Sequence, residues 1–322
     1  MSITVFGATG YIGSHLVSYL RQNGLQVNAI VRNSSNSKDV AFLESAGARL
    51  VRVGGNEPAI LPPECQNNIA VQLVGSIAPK KGETLEGLHL IQTKRLIALA
   101  KTYNFQKIIM VTALGCDHDS KSIYQRTKRQ AEEVLMASGV PYVIVRPSLI
   151  IGWQNGYRHS KLVKRYMELI KTRPFVPLIA GGESLVQPVF IGDLTKVLYK
   201  CITDDSVSGC FDIGGPEVLS MRQFVDKLQS RLGVKKLALP IPAPIAVSLA
   251  LLCQTLQNTP LLSVDQVQLS QEDNICQQNA LPSLLQGSGT TISGTTIEES
   301  LATYSLDNKH SISVNHAAGD PN

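Results

Sequence analysis

The stretch Met1-Ser-Ile-Thr-Val-Phe-Gly-Ala-Thr-Gly-Tyr-Ile-Gly13 decides how the rest of the chain is read. Ile3 and Val5 lead a short β-branched run into Gly7-x-x-Gly10-x-x-Gly13. Apolar residues at helical spacing come next (Ile12, Leu16, Val17, Leu20). Strand, glycine turn and helix in that order make a βα unit suited to a dinucleotide. Gly7 permits the tight turn, Gly10 lets backbone N–H groups approach a pyrophosphate, and Gly13 lets the helix lie close on the sheet. Thr9, Tyr11 and Ile12 complete the loop, and the unpaired N–H donors and positive dipole end of the helix favour phosphate there.

Outward from that unit, strand and helix alternate. Strands are expected at 27–31, 48–53, 69–74, 107–112 and 142–146, with helices at 40–46, 88–103 and 122–138 between them. Parallel strands joined by helical crossovers give an α/β, doubly wound Rossmann sheet. The near-continuous apolar character of the later strands fits burial on both faces. Past Gly152 the rhythm changes to turn-rich segments, with helices expected at 161–171, 193–202 and 221–232 and strands at 188–190 and 210–213. The organisation is therefore a nucleotide-binding domain over 1–153, then a smaller substrate or partner lobe over 154–304, interleaved with the edge of the sheet. Residues 297–304 are read as a last amphipathic helix, and the polar tail 305–322 as disordered.

Composition narrows the function classes. Charged residues make up 17% and the net charge is +5, while aromatics are only 5%, so a nucleic-acid surface of clustered cations and aromatics is not expected. Between 158 and 173, Arg158, Lys161, Lys164, Arg165 and Lys171 face a single acid, Glu168, and apolar residues recur at helical spacing. A solvated helix face is the plain reading, with anionic substrate or lipid headgroups as the alternative. Six cysteines show no C-x-x-C pair and no zinc spacing; free thiols in a reducing cytosol are expected, with no metal site. The N-terminus enters a strand directly, so no signal peptide is expected and the location is read as cytoplasmic. The apolar run 237–256 is broken by Pro240, Pro242 and Pro244, and what remains is too short for the ~20 residues a bilayer span takes. Residues 245–256 are read as a buried helix or a surface for a protein partner or peripheral membrane contact.

Two further features bear on chemistry. After the second strand stands Val31-Arg32-Asn33, with no acid until Asp39. An acid there would bind the adenosine ribose of NAD, whereas Arg32 can stack on adenine and pair with a 2′-phosphate. NADP is therefore preferred over NAD. The second feature is Tyr124-Gln-Arg-Thr-Lys128, which puts a phenol and an ammonium on one helix face. The lysine cation is expected to favour phenolate, so that Tyr124 can move a proton as hydride is transferred. Thr112, ending the fifth strand, carries a hydroxyl suited to holding a substrate oxygen.

Together these motifs resemble the short-chain dehydrogenase/reductase superfamily in its atypical or extended branch. Within it, the chain is similar to the group that holds the nucleotide-binding accessory subunit of respiratory complex I and its bacterial, NmrA-like and epimerase-like relatives. The matching stretches are Phe6 to Gly13, Val31-Arg32, Val111-Thr-Ala-Leu-Gly115, Tyr124 to Lys128, Val145-Arg-Pro-Ser148, Phe190-Ile-Gly-Asp193 and Asp212-Ile-Gly-Gly-Pro-Glu217. The resemblance runs to about residue 304. It implies that the glycine turn binds the pyrophosphate, that Leu73-Val74-Gly75 lines the adenosine side, and that Pro147 and Ser148 sit near the nicotinamide. By the same resemblance Thr112, Tyr124 and Lys128 match the catalytic Ser/Thr, Tyr and Lys, and Lys128 also reaches the nicotinamide ribose. The chain departs from the pattern at three places. Asn56 stands where an acid usually touches adenine, Thr112 where serine is commoner, and His89 where an asparagine is common; His89 is read as a helix-face residue.

Three functions are expected on these grounds. The first is an NAD(P)H-dependent oxidoreductase acting on a small carbonyl or quinone-like substrate. The second is a non-catalytic NADP(H)-binding assembly or redox-sensing factor, as members of the resembled group often bind the cofactor without an established reaction. The third, a sugar-nucleotide epimerase or dehydratase, shares the fold and the Tyr/Lys pair.

Overall fold

The computed structural model describes residues 1–54, 60–77, 82–153, 158–256, 262–286 and 293–304. The tail 305–322 and Asn56 lie outside the described residues.

The first half alternates as expected. Its elements are β1 (Ser2–Phe6), α1 (Tyr11–Gln22), β2 (Gln26–Arg32), α2 (Ser37–Ser45), β3 (Arg49–Val53) and β4 (Ile69–Gln72). Then come α3 (Gln92–Thr102), β5 (Lys107–Val111), α4 (Ile123–Met136) and β6 (Tyr142–Pro147). The second half adds β7 (Ile150–Ile151), α5 (Lys161–Thr172), β8 (Phe175–Ile179), β9 (Leu185–Val186), β10 (Val189–Phe190), α6 (Ile191–Thr203) and β11 (Gly209–Ile213). It closes with β12 (Leu219–Ser220), α7 (Met221–Leu232), β13 (Leu237–Ile241), α8 (Ala243–Leu256), α9 (Val264–Leu269), α10 (Leu281–Leu285) and α11 (Ile297–Ala302).

Seven parallel strands form the central sheet in the order β11-β6-β5-β4-β1-β2-β3. The strand order reverses between β1 and β4, which is where such sheets open a crevice for a nucleotide. Strand periodicity explains the layers. Ile3, Val5, Ala29, Val31, Val71, Ile109 and Val145 pack with Leu16, Val17 and Leu20 of α1 and Leu194 and Leu198 of α6. The alternate positions Ile30, Val51, Ala70, Ile108, Met110 and Ile144 pack on the other face with Leu96 and Ile97 of α3 and Leu135 of α4. Both faces are covered, so the strands read as unbroken apolar runs. A separate core joins α5, α7, β8 and α11 through Val163, Ile170, Val176, Phe224, Leu228 and Leu301.

The sheet takes its edge strand, β11, from the second half of the chain, so that half is interleaved with it as expected. Three local expectations differ from the structure. The fourth strand stops at Gln72; Leu73 N still donates to the Phe6 carbonyl at 2.9 Å, and the backbone of Leu73 and Val74 passes against Gly7. The helix expected over 88–103 opens with a π turn, Gly87–Ile91, before α3. The run 237–256 divides into strand and helix: β13 pairs with β8 in a two-stranded parallel ribbon despite Pro177 and Pro240. Proline removes a donor that only a strand with two neighbours must supply, so an edge tolerates it. Among the described residues, no helix is long and apolar enough to cross a membrane.

Candidate functional site

Because the central strands are parallel, their carboxyl ends share one edge. The glycine turn after β1, Arg32 at the end of β2, Leu73, Val74 and Gly75 after β4, Thr112 after β5, and Pro147 and Ser148 at the end of β6 all lie along it. The turn itself is built by exclusion. Gly7 has φ +82°, and a Cβ there would meet the backbone of Leu73 and Val74 at 2.9 Å. A Cβ on Gly13 would sit 2.3 Å from the Gly7 carbonyl oxygen and 2.7 Å from that of Ala8. Helix α1 therefore begins hard against the turn, with Gly10 as its N-cap and no side chain capping it. Thr9, Gly10, Tyr11 and Ile12 are half-buried around this helix end. An uncapped N-terminus at the β1/β4 crevice fits a diphosphate.

At the adenosine end, the exposed Arg32 guanidinium lies 3.3 Å from Glu83. An ion pair this open to solvent contributes little, so Arg32 can exchange partners at small cost. Asp39, the first acid after β2, is buried and held by Arg158, whose Nη2 lies 2.5 Å from Oδ2. Asp39 is thus committed to the lobe rather than to a ribose. Arg158 is correspondingly withdrawn from the basic stretch that the sequence suggested as a lipid or substrate surface.

At the other end, α4 brings Tyr124 and Lys128 together. The Lys128 ammonium is buried 6.0 Å from the centre of the Tyr124 ring and donates to the Val111 carbonyl at 3.4 Å. It occupies the space that a side chain at Gly75 would need, 2.8 Å from such a Cβ. Burial lowers the Lys128 pKa to about 8, against the raising influence of Cys116 and Glu132. Burial raises the Tyr124 phenol well above its ordinary range, with Cys116 and Asp265 adding to the rise. The expectation of a phenol made acidic by its lysine is not met in the chain by itself: desolvation outweighs a cation at this separation. Burial keeps the Tyr124 phenol protonated.

His89, read from sequence as a helix-face residue, is buried against this pair. Its ring meets Tyr124 edge-on at 5.3 Å, and Nδ1 lies 2.8 Å from Thr127 Oγ1. Nε2 points toward Gly75, 3.5 Å from a Cβ there. His89 lies within the π turn, on the same helix face as the buried Thr93, Leu96, Ile97 and Ala100. Asp265 of α9 caps α4, accepting from Ser122 Oγ at 2.8 Å and Ile123 N at 2.7 Å. A cleft of ≈ 360 Å³ opens beside this cap, between Ile77, Leu85, Ile123, Arg126 and Val264.

Thr112 reaches the same edge but turns its hydroxyl away. Its Oγ1 donates to Glu132 at 2.6 Å. Glu132 is fully buried and also holds Arg146 through two bonds, at 3.0 and 2.6 Å. This network ties β5 and β6 to α4 and takes up the only proton Thr112 has to give. Ser148 likewise donates its hydroxyl to the Gln187 carbonyl, joining the sheet to the second half. Pro147 is buried at the strand end, where its carbonyl accepts from Leu114 N at 3.0 Å.

Residues 7–165 match a family model described as NAD(P)H-binding. The matched stretch runs from the glycine turn through β6 into α5 and is similar to NAD(P)H-binding domains. The domain and the lobe after it are similar to the NADH dehydrogenase [ubiquinone] 1 alpha subcomplex subunit 9, mitochondrial, of Arabidopsis thaliana, 25% identical over 86% of this chain and 71% of that protein. They are also similar to the NAD(P)H azoreductase of Xenophilus azovorans, 24% identical over 72% of this chain and 74% of that one. Among solved structures, MoeE5 in complex with UDP-glucuronic acid and NAD superposes with a TM-score of 0.68 at 18% identity, over 94% of this chain and 97% of that one. At that identity the likeness is one of fold.

A clamp behind the glycine turn joins the NAD(P)-binding domain to the later strands. Tyr11 Oη donates to the Gly152 carbonyl at 3.1 Å, and Gly152 N donates to Tyr304 Oη at 2.9 Å. His15 Nε2 lies 3.2 Å from the Trp153 carbonyl, which can only accept, so Nε2 carries the proton. Burial lowers His15 to about 4; burial and the Lys128 charge lower His89 to about 3. Unfolding returns each imidazole to about 6.5, so below that pH the unfolded chain binds more protons and stability falls as pH falls. The loss is complete near the folded values and amounts to at most roughly 3 to 5 kcal/mol per histidine. Urea midpoints should therefore drop between about pH 7 and pH 4, and less so for His15→Asn/His89→Asn; an unchanged slope in that variant contradicts the assignment.

Proposed function

We propose that the protein is an NADP(H)-preferring oxidoreductase that reduces a small carbonyl or quinone-like substrate, with Tyr124 as proton donor and Lys128 holding the nicotinamide ribose. The observation that carries this is the convergence of the Tyr124 ring and the Lys128 ammonium on one face of α4, with the ammonium packed where Gly75 has no side chain. When bound, the cofactor supplies a hydride, which adds two electrons to the substrate carbonyl carbon. Tyr124 gives its proton to the oxygen, and solvent restores it. A phenol kept neutral by burial suits the reducing direction. His89 backs the Tyr124 ring and fixes its approach. The azoreductase relative supports reduction by a nicotinamide.

NADP preference rests on Arg32. Arg32→Ala should weaken NADPH binding by about tenfold and leave NADH within about twofold, as expected for one charge-assisted contact to a 2′-phosphate. Equal losses for both cofactors contradict the assignment.

A second reading is favoured by one observation: Thr112 has its proton committed to Glu132, leaving the substrate oxygen a donor short. On that reading the protein retains NADP(H) as a structural or redox-sensing element of a larger assembly, which the complex I subunit relative supports. NADPH absorbance followed across a panel of aldehydes, ketones and quinones separates the two. Turnover supports the oxidoreductase; tight cofactor binding with no turnover across the panel supports the assembly role.

A further inference from the structure

The β8–β13 ribbon carries apolar residues at every outward position. Along β8, Phe175, Pro177 and Ile179 alternate with Val176 and Leu178, which are buried in the lobe core. Their register partners on β13 are Leu237, Leu239 and Ile241. Ile179 and Ile241 then pack against Ala246 and Ala250 of α8, which turns Ile245, Leu249 and Leu252 outward. The strand face and the helix face are thus continuous. Leu237 is 70% exposed and Leu252 56%, where isolated exposed leucines would need no explanation but a contiguous surface does.

Charge distinguishes what covers it. Residues 171–182 and 233–256 contain Lys171, Arg173, Lys235 and Lys236 and no Asp or Glu, and the neighbouring Glu183, beside Pro240 and Ala243, is paired with Arg222. The cations gather at one end, because Arg173 and Lys235 each stand two residues before the paired Phe175 and Leu237. Among the described residues none of the four has an acidic partner within ion-pair distance. Apolar side chains, Phe175 among them, bordered by cations without acidic partners match the boundary of an anionic bilayer.

We infer that this face docks on an anionic lipid surface, with Leu237, Leu239, Ile245, Leu249 and Leu252 entering the headgroup boundary and the four cations meeting lipid phosphates. The helix α8 lies in the interface and does not cross it, consistent with its 14 residues. This holds whichever reaction the nucleotide site performs.

Flotation of the full-length protein with vesicles of phosphatidylcholine, with and without phosphatidylglycerol, tests it. Binding is expected with phosphatidylglycerol and should weaken as salt is raised. Lys235→Glu/Lys236→Glu should lower partitioning at least about tenfold while NADPH affinity is unchanged, which shows the variant folded. Leu249→Trp should gain a blue-shifted emission component on those vesicles. The inference is overturned by absence of binding to phosphatidylglycerol vesicles, or by binding that the charge reversal does not reduce. Binding to native membranes without binding to protein-free vesicles overturns it equally, since that assigns the face to a protein partner.

Discussion

Gly13→Val should abolish binding of both nicotinamide cofactors and destabilise the fold by about 3 kcal/mol or more, because backbone overlap cannot be relieved by rotating a side chain. The space for a side chain does not exist. The Cβ alone would be 2.3 Å from the Gly7 carbonyl oxygen, and Gly7 is itself pinned against Leu73 and Val74 across the β1/β4 crevice. Either α1 withdraws from the turn, carrying its N-terminal amides off the diphosphate, or the turn opens and β1 loses its seat beside β4. Thermal unfolding and cofactor titration on one preparation read both effects. Wild-type affinity and stability in Gly13→Val would mean that the turn is looser than its geometry.

Tyr124→Phe should cut turnover by roughly 10²- to 10⁴-fold, the usual worth of a positioned proton donor, while cofactor affinity stays within about twofold. The separation is the informative part. The ring remains, so its edge-on contact with His89 and the packing of α4 are preserved, and only the hydroxyl is lost. Steady-state rates beside NADPH titrations check this. Unaltered turnover would remove Tyr124 from the chemistry and leave another group to supply the proton.

Much of the fold and part of the site are legible in the sequence, and the remainder is hidden for physical reasons. The glycine turn constrains backbone conformation and close approach, and both are properties of residue type. The parallel sheet can be read from alternation, since a strand buried on both faces can hardly be anything else. His89 does lie on a helix face, the buried one it shares with Thr93, Leu96 and Ile97; what spacing cannot show is that Tyr124 of α4 packs against that face, or that Gly87–Ile91 is a π turn. The direction of the Thr112 hydroxyl depends on Glu132 and Arg146, which lie 20 and 34 positions further along, so spacing alone cannot orient it. An acidic phenol is the natural expectation because the lysine is visible in the sequence, whereas the burial that opposes it is not. The β8–β13 ribbon escapes a sequence reading because its prolines argue against strands, and only an edge position excuses them.

The central claim is that backbone amides at the start of α1 hold a pyridine dinucleotide against the β1/β4 crevice. Calorimetric titration of the purified protein with NADPH and with NADH tests it most directly. Saturable one-to-one binding, tighter for NADPH, is the predicted result; no saturable binding of either cofactor would contradict the account.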